Sequence, residues 1–112
     1  MLRTTQIVHM IMISDVVLKN RMYYVLDERG KELSHSWESS LGEVIGFTGS
    51  FLVCLKNRMY YVYDEKLKEI SHNWESSLGA FKNVCGNSIN FSKNRMIYTY
   101  DCRLKEISHR WE

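Results

Sequence analysis

The chain of 112 residues contains no proline, only six glycines, and three cysteines with no CxxC pair. The missing prolines, with 45% hydrophobic and 25% charged residues, exclude a Pro-rich, collagenous or disordered chain. An odd cysteine count without paired spacing makes neither a disulfide framework nor a zinc knuckle. Cys54, Cys85 and Cys102 therefore read as reduced thiols, and the expected location is cytoplasmic. An excess of one charge is lacking too: Lys+Arg 15 against Asp+Glu 13 leaves +2, so no bulk charge advertises nucleic acid or membrane. There is no Gly-rich phosphate loop, HExxH or GxSxG, so no enzyme, cofactor or metal is expected. The one long apolar run, Ile7 to Ile13, holds His9 and lacks a small-residue cleavage site before Lys19–Asn20–Arg21. It is also too short to span a bilayer. The length allows one small domain.

What is present is a repeat. Lys19–Asn20–Arg21–Met22 returns as Lys56–Asn57–Arg58–Met59 and as Lys93–Asn94–Arg95–Met96, at steps of 37 residues. The match extends through KNRMYYVLDERGKELSHSWE, KNRMYYVYDEKLKEISHNWE and KNRMIYTYDCRLKEISHRWE. The connector Ser39–Ser40–Leu41–Gly42 repeats as Ser76–Ser77–Leu78–Gly79. The chain thus divides into units 1–38, 39–75 and 76–112, each with a variable beginning and a nearly fixed end.

Each unit reads as four short strands. In the middle unit they are Glu43–Thr48, Phe51–Leu55, Arg58–Asp64 and Lys68–Trp74, with Asn57 at a tight turn. The second and third strands are apolar or aromatic on both faces: Phe51, Val53 and Leu55 against Leu52 and Cys54, then Met59, Tyr61 and Tyr63 against Tyr60 and Val62. A sheet with one wet face would alternate apolar and polar residues, so these strands belong between two like sheets. The fourth strand sets Ile70, His72 and Trp74 on one face and Glu69, Ser71 and Asn73 on the other, as a half-exposed edge strand.

The segment Arg21 to Leu33, RMYYVLDERGKEL, followed by Trp37, resembles blades of β-propellers, especially the PQQ-enzyme-like and WD-type repeats. The resemblance covers all three units and implies an all-β fold of three four-stranded propeller-like blades. Gly30 departs to Leu67 and Leu104 in the later units, and no PQQ ligand set is recognisable. Closed propellers have about four to eight blades, so homodimerisation to a six-bladed ring is the expected completion. The alternative is a β-trefoil, which closes with three units in one chain.

Three constellations are candidate sites. The Lys–Asn–Arg turns give Lys19, Arg21, Lys56, Arg58, Lys93 and Arg95, which a blade would place on the same side as the connectors, near Glu38, Glu75 and Glu112. Such a cationic edge would attract phosphates or an acidic protein surface. His35, His72 and His109 with Trp37, Trp74 and Trp111 recur as Ser–His–x–Trp. They are expected to pack between units, the imidazoles bonded to Ser or backbone. Their functional reading is one ligand pocket per unit, stacking on sugars or bases. In a trefoil the histidines could converge on a metal. The third unit carries Asn83, Asn87 and Asn90 where its relatives are apolar or small, by drift or as a partner surface. The function expected is a non-enzymatic, homo-oligomeric scaffold for a protein or anionic partner; the alternative is a carbohydrate- or nucleotide-binding module.

Overall fold

A computed structural model describes residues 11–112. His9 and most of the first apolar run lie outside the described residues. The first sheet contains β1 (Asp15–Lys19), β2 (Met22–Leu26) and β3 (Glu32–Trp37). The middle sheet contains β4 (Glu43–Phe47), β5 (Leu52–Lys56), β6 (Met59–Tyr63) and β7 (Glu69–Trp74). The third contains β8 (Ala80–Cys85), β9 (Ser88–Lys93), β10 (Met96–Tyr100) and β11 (Glu106–Trp111). Each sheet is an antiparallel meander with neighbours in chain order, and each falls within one repeat unit. The strands expected in the middle unit match to within about one residue, the usual scatter of boundaries. The described residues form three separate sheets and no barrel, so the trefoil's closed arrangement is not the one observed.

The sheets are joined by single helical turns, α1 (Glu38–Leu41) and α2 (Glu75–Leu78). Their four residues are too few to carry a 3.6-residue pattern, which is why the sequence read as plain connector. Each turn tucks one leucine inward: Leu41 is 4% exposed and Leu78 2%. Each then ends on a glycine with positive φ, Gly42 and Gly79. A Cβ on Gly79 would lie 2.5 Å from the backbone oxygen of Ser92, and one on Gly42 2.6 Å from that of Leu55. The glycine is needed both for its left-handed φ and for the close approach of two backbones.

The core lies between sheets. The first and middle sheets enclose Ile13, Val25 and Leu52, with Tyr23, Leu41 and Cys54 beside them. The middle and third enclose Phe51, Val53, Tyr60, Val62, Leu78, Ile89 and Phe91. So the middle sheet is covered on both faces, as its two-sided apolar strands require. Removing each such aliphatic or aromatic side chain from water contributes about 1.5–3 kcal/mol, which makes these joints the main source of stability.

Hydrogen bonds set the register of each joint. The Tyr60 hydroxyl donates to the Gly79 carbonyl at 2.8 Å and accepts from the Phe81 amide at 3.0 Å. Its counterpart, the Tyr23 hydroxyl, accepts from the Val44 amide at 3.3 Å. Ser34 Oγ donates to the Glu65 carbonyl at 2.7 Å, and Ser71 Oγ to the Cys102 carbonyl at 2.6 Å. Leu67 and Leu104 hold positive φ, 61° and 60°, in a turn where Gly30 has 78°. A leucine is strained there. Both leucines pack against the preceding sheet, which offsets the strain.

One expectation about the outer strand is corrected. Ile70 does not share a face with His72 and Trp74. The pairing of β6 with β7 slips between Val62 and Tyr63, a β-bulge. Ile70 therefore turns into the joint with the third sheet, while His72 and Trp74 lie opposite Tyr61 and Met59.

Two changes test the joint. Tyr60→Phe leaves the Gly79 carbonyl and Phe81 amide without their partner and should cost about 1–3 kcal/mol in urea unfolding, more than Tyr23→Phe, whose bond is longer. Gly79→Ala should cost more than ~1 kcal/mol by the same measurement, because neither the φ nor the contact tolerates a methyl group.

Candidate functional site at the turn edge

The Asn–Arg pairs sit at the tips of two-residue hairpins. Asn20, Asn57 and Asn94 have φ of 52°, 51° and 53°; Arg21, Arg58 and Arg95 have 66°, 65° and 67°. Positive φ at both central positions suits a type I′ turn, and Asn tolerates the first position well. The second position favours glycine. Arginine there stands in a left-handed conformation that costs about 1–2 kcal/mol. The same strained choice occurs in all three units.

The connectors lie on this edge, as expected. The Arg21, Arg58 and Arg95 carbonyls accept hydrogen bonds from the Glu38, Glu75 and Glu112 amides at 2.8, 2.8 and 3.0 Å. Each arginine is thereby placed beside the tryptophan that ends the outer strand. In the first unit Arg21, Trp37, Glu38 and Ser39 line a concavity of about 630 Å³.

The six cations are not equivalent. Lys56 and Lys93 reach back to the connectors, donating to the Ser40 and Ser77 carbonyls at 3.1 Å. They brace the helical turns and are half-buried. Lys19, Arg21, Arg58 and Arg95 are exposed.

The tryptophans correct a second expectation. They do not wedge between sheets: Trp37, Trp74 and Trp111 are 57%, 54% and 76% exposed. The histidines differ as well. Among the described residues they bond neither serine nor backbone; His35, His72 and His109 donate from Nδ1 to Glu32, Glu69 and Glu106 at 2.6, 2.6 and 2.7 Å. Each ring also lies 5.7–6.0 Å from Tyr24, Tyr61 or Tyr98. The three histidines are thus separated onto three sheets. Among the described residues no three His, Cys, Asp or Glu side chains gather as a metal site. The opposite turns are held by Asp27, Asp64 and Asp101, whose carboxylates each accept two backbone amides. The result is one exposed Arg–Trp–His set per unit, backed by a half-buried tyrosine. The residues were legible from the repeat; the exposure of the histidines and tryptophans was not, because the outer-strand bulge alters which side chains are covered.

The thiols differ in environment. Cys54 is fully buried and burial pushes its thiol up to about 12, while Cys85 is exposed at a hairpin end. Burial, then the nearby Cys54, Glu69 and Tyr61, raises Tyr63 to about 12 as well. Compared with known families, characterised proteins and solved structures, the chain matches none.

Three outcomes follow for this region. Arg58→Gly should leave stability unchanged or raise it by up to ~1 kcal/mol, since glycine relieves the left-handed strain; a clear loss would show that the arginine is structural. Alkylation of the native protein should modify Cys85 and spare Cys54 until unfolding. Stability should fall as pH rises above 9.0, because the unfolded Cys54 thiol releases its proton there while the folded one holds it to about 12; Cys54→Val should flatten that decline.

Proposed function

We propose that this is a non-enzymatic binding scaffold built of propeller-like blades, and that it takes an anionic or protein partner along its turn edge. The blade reading rests on three successive meanders stacked face to face with equivalent joints. Among the described residues no helix is long and apolar enough to cross a membrane.

The observation that carries the binding reading is the strained arginine tip, repeated three times beside an exposed tryptophan. Neither feature helps the fold: arginine is a poor residue for the turn, and an exposed indole leaves apolar surface in water. Together they suit a surface that is both cationic and aromatic. Guanidinium groups pair with carboxylates or phosphates in two-point hydrogen bonds, and indoles supply contact area at low entropy cost.

A titration of the full chain with an oligo-glutamate peptide, followed by tryptophan fluorescence, tests this. Binding should weaken as salt rises. It should be lost in the Arg21→Glu, Arg58→Glu, Arg95→Glu combination and retained in Lys82→Glu, which lies away from the turns. Unchanged binding in the combined variant would count against the cationic edge.

The exposed tryptophans and histidines, with a half-buried tyrosine beside each histidine, also favour a second reading, a module binding a sugar or nucleotide once per unit. Three equal ligands per chain would select it over a single partner footprint. The six-bladed ring would require a second copy to join its first sheet to the third sheet of this one. Whether those faces can meet is a matter of their chemistry.

A further inference from the structure

The joint has two halves. The outgoing half, on the middle sheet, presents Val53, Leu55, Tyr60 and Val62 to the next sheet, flanked by Ile45 and Ile70. On the first sheet the same positions hold Val16, Leu18, Tyr23 and Val25. On the third sheet they hold Asn90, Ser92, Ile97 and Thr99. Three of the four apolar positions now carry amide or hydroxyl groups; at the fourth, Ile97 stays apolar, but the tyrosine hydroxyl that clips the next connector is gone.

These polar groups are organised among themselves. Thr99 Oγ1 donates to Asn90 Oδ1 at 2.6 Å, and Asn90 Nδ2 donates to Asn83 Oδ1 at 2.8 Å. Ser92 Oγ donates to Glu112 Oε1 at 3.2 Å. Lys82 stands where the middle sheet has Ile45. Ile107 is 59% exposed, whereas its equivalent Ile70 packs into a joint.

The incoming half is altered at the other end. On the middle and third sheets it inserts Leu52 and Ile89, both 0% exposed, and the strained turn leucines Leu67 and Leu104. The first sheet has Asp15 and Gly30 at those positions. Asp15 is exposed, and a Cβ on Gly30 would meet nothing within 4 Å. The turn holds the unstrained residue where none of the described residues packs on it.

We infer that the outer face of the third sheet is a polar cap, so that the first sheet of a second copy of this chain, which brings Asp15 to the joint, neither extends the stack nor closes it into a ring. Head-to-tail docking would press Asp15 and the Asn90–Thr99 network together out of water, with the network's hydrogen bonds already made internally. The open stack fits the radius of gyration, 15.8 Å, against about 13 Å for a compact domain of 100 residues.

Light-scattering mass over a wide concentration range tests the inference. The chain should remain at 13.3 kDa. A species of twice that mass would overturn it. A second protein restores the joint at both ends: Asp15→Leu with Asn90→Val, Ser92→Leu, Ile97→Tyr and Thr99→Val. Its mass should rise with concentration toward twice the single-chain value or beyond. If it shows the strand signature of the parent by circular dichroism yet stays monomeric, polarity is not what keeps the ends apart and the inference fails.

Discussion

Everything in this molecule depends on the burial of one sheet's apolar face against the next. A three- or four-stranded meander of five- and six-residue strands has too little core to stand alone, and here each sheet finds its core only in its neighbour. The Tyr60 hydroxyl shows how burial and register are combined. Its ring lies 4.8 Å from Phe91 within the joint, while its oxygen holds the connector and the first strand of the following sheet. The apolar contact supplies the energy. The hydrogen bonds, with those from Ser34 and Ser71, decide where along the face the next sheet settles.

Much of this was legible in the sequence. The 37-residue spacing sets the unit, and the two-sided apolar character of Phe51–Leu55 and Met59–Tyr63 implies a sheet covered twice. The outer strand was not legible. Its alternation is broken by a bulge opposite Val62 and Tyr63, a backbone event with no sequence marker, and that moves Ile70 away from His72 and Trp74. The roles of Lys56 and Lys93 were hidden for a related reason: a lysine that braces a carbonyl has the same sequence as one that faces solvent. The meaning of Asn83 and Asn90 was within reach, because their positions equal those of Gly46 and Val53; what was missing was knowledge of which face each position serves.

The turn edge contrasts with the joints. Inside the joints, strain is matched by packing: Leu67 and Leu104 tolerate a left-handed backbone because each fills space against the preceding sheet. At the arginine tips no such packing exists, since Arg21, Arg58 and Arg95 are exposed. On the proposed function, that unmatched strain is the cost of holding a group ready for a partner.

The middle sheet differs from its neighbours in owning both halves of the joint. It receives the first sheet through Leu52 and Leu67 and meets the third through Val53, Tyr60 and Val62. A duplication of residues 39–75 set between the existing units would therefore find apolar partners on both sides. A duplication of the first unit would bury Asp15, and one of the third unit the Asn90–Thr99 pair. Copying the centre would therefore keep every new joint apolar and would multiply the arginine–tryptophan edge along the array.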